Sequence, residues 1–377
     1  MILGKLSACA AAGALTLALF AVPAALADPA KAPAPAYKAP INFYGQPDLG
    51  GTWTNATLTN LIRPSEYGDR LVMTPQEVAK IEGDDAKAVA EGNKPTDPKL
   101  KVTDLPYECG RGFSGVGCGY NAAWVDPGTT VMRVNGEPRT SFITNPANGK
   151  LPAFKAGFRP SGFFFGGGEG RVIPPALLAQ FAKRADNPET MSLGERCIMS
   201  FGLSAGPVML PLLYNNNYEI VQSKDTVAIE VEMVHDVRVI RIGGEHRTDG
   251  VRPWLGDSIG HYEGKTLVVE TTNFPKAQAF IGAWQNLKVT ERFTRVAPDR
   301  ILYQFTIEDP TVWDQPWGGE YEFSKSKGII YEYACHEGNY ALADMLAGAR
   351  ADEAAAAAKT AQAAPGPAAA PATTSKQ

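Results

Sequence analysis

The sequence predicts a mainly β fold, an antiparallel meander that closes into a barrel, with short N-terminal helices and loops and a short C-terminal helix. Two observations carry this. From Tyr214 onward, short alternating or β-branched runs follow one another closely: Tyr218–Gln222, Val227–Val234, Asp236–Ile242, Ser258–Tyr262, Thr266–Asn273, Leu287–Val296, Arg300–Glu308, Trp317–Lys325 and Ile329–Ala334. Turn residues separate them, among them Lys224-Asp225, Gly243-Gly244, Glu263-Gly264, Pro298-Asp299 and Lys327-Gly328. Close hairpin spacing favours antiparallel pairing over a parallel sheet. Closure also removes the exposed edges that so many strands would otherwise present.

The two ends differ from this middle. Residues 1–27 read as a secretory signal: Lys5, an apolar stretch from Ala8 to Val22, then Ala25-Leu26-Ala27 before Asp28. Residues 28–46 form an Ala/Pro-rich linker and residues 351–377 an Ala/Pro-rich tail; neither has enough apolar surface to offset its ordering entropy. The expected folded part is a single β-rich domain over 47–350, located in the periplasm. No later stretch is long and apolar enough to insert into a membrane. A mixed net charge of −4 lacks the basic stripe that nucleic acid demands.

Five cysteines are present, and Cys9 would leave with the signal. Cys109, Cys118, Cys197 and Cys335 remain, and an even count in an oxidising compartment reads as two disulfides. The favoured pairing is Cys109–Cys118, closing a Gly-rich loop, with Cys197–Cys335 tying the middle to the end.

Taken in order, Asp48–Trp53 opens the domain, and its Gly51-Thr52-Trp53 resembles the start of lipocalin-like (calycin) barrels, which implies a Trp packed across one barrel end. Thr74-Pro75-Gln76-Glu77 is a capping box that starts a helix running to about Ala90. Pro106–Gly119 is a Gly/Cys loop without dinucleotide spacing. Asn121–Asp126, Thr129–Val134 and Arg139–Ile143 read as short strands. The Phe/Gly stretch within 157–172 reads as an apolar flap, and Pro174–Arg184 as a short helix. Further on, Glu232-Met233-Val234-His235-Asp236, Thr266–Phe274 (TLVVETTNF) and Tyr333–Tyr340 (YACHEGNY) resemble a family of exported, mostly uncharacterised bacterial proteins. That pattern carries a His where this chain has Lys288 and an Asp where it has Lys265. A catalytic His at the first position in relatives would be replaced here.

Ionisable groups set into apolar runs are the candidates for chemistry. In Val231–Val239, period-two alternation puts Glu232, Asp236 and Arg238 on one face and His235 on the other. Glu270 and Glu291 fall on apolar faces of their strands, where a carboxylate pairs or has its pKa raised. His336 and Glu337 follow Cys335, an arrangement able to hold a general acid/base and its orienting acid. The predicted catalytic set is therefore His235, Asp236, Arg238, Glu270, His336 and Glu337, and the predicted ligand-binding set is Tyr214, Asn215, Tyr303 and Glu291. The ordinary alternatives are a cross-strand ion pair, a satisfied core histidine and a hydrogen-bonded corner.

No Gly-x-Ser-x-Gly elbow or HExxH is present, and His235, His246 and His261 lack metal-ligand spacing, so no metal or cofactor is expected. The function expected is a cofactor-independent, lyase- or decarboxylase-like enzyme acting by acid/base chemistry on an aromatic small molecule in a barrel cavity. The alternative is a periplasmic carrier of an apolar or aromatic ligand in the same cavity.

Overall fold

The computed structural model describes residues 37–95, 99, 126–160, 184–200, 206–212 and 215–363. From Lys38 onward the chain is one compact unit. Its elements are β1 (Gly51–Thr54), α1 (Pro75–Gly92), β2 (Arg133–Val134), β3 (Glu137–Pro138), β4 (Ile143–Asn145), β5 (Asn217–Gln222), β6 (Thr226–Val231), β7 (Val237–Ile242), β8 (Asp257–Glu263), β9 (Thr266–Thr272), β10 (Lys288–Ala297), β11 (Arg300–Glu308), β12 (Trp317–Lys325) and α2 (Tyr340–Ala363), with short 3-10 turns between them.

β1 and β5 to β12 pair in the order β1-β5-β6-β7-β8-β9-β10-β11-β12, and β12 returns to β1, closing a nine-stranded barrel. Alternation decides what fills it. Val227, Ile229 and Val231 of β6, and Ile301, Tyr303, Phe305 and Ile307 of β11, are all buried. Trp53 lies at one end, fully buried. Its indole donates to Leu49 O at 2.9 Å, and the Arg295 guanidinium stands over its ring at 5.5 Å. That is the packed barrel end implied by Gly51-Thr52-Trp53. Thr74 caps α1 in the expected capping box with Glu77. In β12, Gly318 and Gly319 are dictated by close approach: a Cβ on either would come within 2.1 Å of a carbonyl oxygen, Phe305 O or Phe142 O.

Five expectations need correction. The meander is interrupted once: β7 and β8 pair in parallel, linked by the loop 243–256, so Gly243-Gly244 opens a crossover and not a hairpin. Residues 232–235 are a turn between β6 and β7, so alternation does not run through them. Ile329–Ala334 is not a strand. β12 is already flanked by β11 along its length and by β4 and β1 at its ends, and no edge is left for it. α2 does not stop near Ala349 but continues to Ala363, as the high helix propensity of alanine allows. On the N-terminal side, the linker is joined to the barrel from Pro40: Asp48 N–H donates to Pro40 O at 2.9 Å, and Gln46 Nε2 to Lys224 O at 2.8 Å. The signal stretch 1–27, the Gly/Cys loop, the Asn121–Val125 run, most of the Phe/Gly flap and nearly all of the Pro174–Arg184 helix lie outside the described residues.

Candidate functional site

The barrel interior holds one polar network. Arg238, on the inner face of β7, and Glu291, on the inner face of β10, are 2% and 0% exposed and form a two-pronged ion pair. The Arg238 Nε donates to Ser258 Oγ and its Nη2 to Thr271 Oγ1, each at 3.1 Å. Tyr303 donates to Glu291 Oε1 at 2.8 Å. Burial first, and the Glu291 carboxylate second, push the Tyr303 phenol well above the ordinary tyrosine range; burial does the same for Tyr321 and Tyr218. All three therefore stay protonated and able to donate.

This network does not surround an open cavity. The segment 207–210 occupies the lumen, with Val208, Met209 and Leu210 buried. Met209 N–H donates to Tyr303 Oη at 3.3 Å, and Met209 O accepts from Tyr321 Oη and from Asn55 Nδ2, the latter at 3.1 Å. A backbone amide inside an apolar barrel must be satisfied by the barrel wall. The cavity expected at this place is filled by the chain itself. A cavity of about 350 Å³ lies elsewhere, between α1 and the β2–β3 hairpin, against Met73, Val78, Glu82 and Arg133, and no predicted site residue lines it.

The predicted residues divide accordingly. Arg238, Glu291 and Tyr303 meet as one constellation. His235, Asp236, Glu270, His336 and Glu337 do not share it. The 232–235 turn breaks the alternation that grouped Asp236 and Glu232 with Arg238. The Glu232 carboxylate instead accepts from Asn216 N and from Asn217 N and Nδ2. Asp236 accepts from Ser200 N at 3.2 Å, and burial raises its pKa. His235 sits outside the barrel, accepting from Tyr333 N at 3.0 Å on Nε2, with Nδ1 3.4 Å from Glu230 Oε1. His336 and Glu337 are exposed in the corner before α2. That corner is the hydrogen-bonded alternative, tied down by the Cys197–Cys335 disulfide (Cα–Cα 5.7 Å) and by Asn339. Asn215 is buried and accepts from Met233 N at 2.7 Å, bracing the turn and lining no cavity. Tyr214, Cys109 and Cys118 lie outside the described residues.

Glu270 is the most informative displacement. It was expected on the apolar face of β9, but Leu267, Val269 and Thr271 face inward and Glu270 faces out. There it belongs to a cluster that the sequence did not single out. Asp257 Oδ2 is 3.0 Å from His246 Nδ1, and His246 Nε2 is 3.2 Å from Glu270 Oε1. Lys288 Nζ is 3.7 Å from Glu270 Oε2 and 2.6 Å from Glu308 Oε2. The Glu308 hydrogen bond, then the carboxylate charges, raise the Lys288 pKa and keep it an ammonium. Asp257 is itself buried and held by Arg241 Nη2 at 2.9 Å and Arg247 N at 2.8 Å. Both ring nitrogens of His246 face carboxylate oxygens, so the doubly protonated imidazolium satisfies both. The imidazole arrives on the 243–256 crossover, and its partners come from β8 and β9. Among the described residues, no group of three His, Cys, Asp or Glu side chains is arranged to hold a metal. No described helix is long and apolar enough to cross a membrane.

No family model matches this chain. No curated protein matches it either. Among solved structures it is similar to an alanine mutant of the fluorescent protein UnaG, at 14% identity over 30% of this chain and 72% of that one. The TM-score is 0.19, which carries no argument, and the barrel stands on its own strand pairing.

Proposed function

We propose that this protein is an exported acid/base enzyme whose site lies on the outer face of the barrel at His246, not in the lumen. The observation that carries it is the Asp257–His246–Glu270 line, an imidazole held between a buried carboxylate and a half-exposed one. Asp257 orients the ring, and Glu270 exchanges the proton with solvent or substrate. Lys288 and Arg241, half-exposed cations beside it, suit a substrate that bears a carboxylate. The reaction class proposed is cofactor-independent lyase chemistry on an aromatic acid. In a decarboxylation the carboxylate leaves as CO2, its bonding pair stays on the substrate carbon, and the imidazolium returns a proton to that carbon. The resembled family supports the location, since its pattern places a His where Lys288 faces Glu270. Export to the periplasm is supported by the signal pattern and by the Cys197–Cys335 disulfide.

A panel of aromatic carboxylic acids, followed for CO2 release and product, tests this. His246→Gln and Glu270→Gln should each lower turnover by about 10²-fold or more, the usual worth of a positioned general acid or base. His235→Ala and His336→Ala should leave it intact. Loss of turnover in the second pair with full activity in the first would refute the assignment.

The carrier reading keeps one observation in its favour. The lumen presents Tyr303, Tyr321 and Asn55 as a polar docking set, and that set holds a piece of the chain by its backbone.

A further inference from the structure

The lumen's polar groups are set for a particular guest. Tyr303 gives its phenolic proton to Glu291, whose position the Arg238 guanidinium fixes, so the lone pairs of Tyr303 Oη are left to accept. Tyr321 Oη and Asn55 Nδ2 are donors pointing at one place. Together they offer one acceptor and two donors, matched to the N–H and C=O of a single residue in an extended backbone. Met209 supplies that residue here. The surrounding wall is apolar and aromatic, with Tyr218, Phe293, Phe323 and the three tyrosines' ring contacts filling the space.

A second feature points the same way. Asn55 is 1% exposed, and its Oδ1 has no hydrogen-bond partner. A buried acceptor left unmade costs about 1–3 kcal/mol. A structural anchor for residues 207–210 has no use for it, whereas a guest with one more N–H than Met209 presents would satisfy it.

We propose that the lumen is a recognition site for an N-acylated apolar amino-acid amide or a short apolar peptide, and that Pro207–Leu210 is its resident occupant. Exchange replaces Met209 by the guest residue: its N–H goes to Tyr303, its C=O to Tyr321 and Asn55, and its next N–H to Asn55 Oδ1. The side chain takes the apolar volume left by Met209. This inference rests on the carrier reading and is independent of the acid/base site at His246.

The test titrates the full chain with N-acetyl-methionine N-methylamide and follows tryptophan fluorescence and amide chemical shifts. Saturable binding is expected. Met209→Gly weakens the resident occupant and should tighten binding about 10-fold, because less of the site is blocked; Met209→Ala serves the same purpose if the glycine variant does not fold. Tyr321→Phe removes a donor and should weaken binding about 10-fold, the usual worth of one such bond. An apolar fluorescent probe without an amide, 1-anilinonaphthalene-8-sulfonate, is titrated in parallel. Uptake of that probe alone, unaffected by Tyr321→Phe, overturns amide recognition and leaves the carrier reading standing. Binding of neither probe by folded wild type and folded Met209 variant overturns both.

Discussion

Arg238 and Glu291 show what one buried charge demands of its neighbours. Each is almost wholly withdrawn from water, and an unpaired charge there is costly. The structure offsets this with the two-pronged pair and with hydroxyls on the remaining prongs: Ser258 and Thr271 on the guanidinium, Tyr303 on the carboxylate. Their contribution is therefore asymmetric. Glu291→Gln leaves the guanidinium buried without a counter-charge and should lower the unfolding free energy by about 3–5 kcal/mol. Arg238→Met should cost a similar amount. The double variant Arg238→Met/Glu291→Leu should recover most of the loss, because no charge is then left in the interior. Chemical denaturation of the four proteins measures the cycle, and additive losses in the double variant would show that the pair is not the coupled unit described here.

At the scale of elements, the turn at 232–235 is the instructive case. Val234 and His235 have φ of 62° and 53°, the left-handed pair that a tight hairpin requires and that Asn-Gly ordinarily supplies. A β-branched residue there is strained. The turn is held from outside: Asn215 Oδ1 accepts from Met233 N, and Glu232 accepts from the backbone at Asn216 and Asn217. Val234→Gly should therefore raise stability, by about 1 kcal/mol, in a thermal or denaturant melt; a clear destabilisation would mean that the Val side chain matters more than its backbone. The same residues explain the limits of reading this sequence. β11 and β12 were legible to the residue, because alternating burial is written into Arg300–Glu308 and Trp317–Lys325. The 232–235 turn was not, because Val-His carries no turn signal. The parallel β7–β8 pair was not, because pairing direction has no local signature when a crossover is short. Glu291 and Tyr303 were found because both lie on apolar strand faces. His246 was passed over because it sits on a crossover, and its partners Asp257 and Glu270 come together only through pairing of β8 with β9.

For the whole molecule, the barrel's centre makes stability a function of alkaline pH. Tyr218, Tyr303 and Tyr321 are buried together, and their phenols are all raised above the ordinary value, by burial first. A group whose folded pKa exceeds its unfolded one contributes stability that is fully present below the unfolded pKa. For tyrosine that boundary is about 10. The contribution is lost as pH rises beyond it, since the unfolded chain ionises its phenols while the barrel cannot. Stability should thus be flat with respect to these groups at neutral pH and fall steeply above about pH 10. Ionising even one phenol in the folded state would also break a bond to Met209 or set a phenolate beside Glu291, so loss of these protons and loss of the barrel should coincide. Parallel melts and tyrosinate absorbance across the alkaline range give the measurement. The expected result is a tyrosinate fraction that titrates only with unfolding, and a shallower fall in Tyr303→Phe. Free titration of all the tyrosines before the melt would show that water reaches the centre of the barrel.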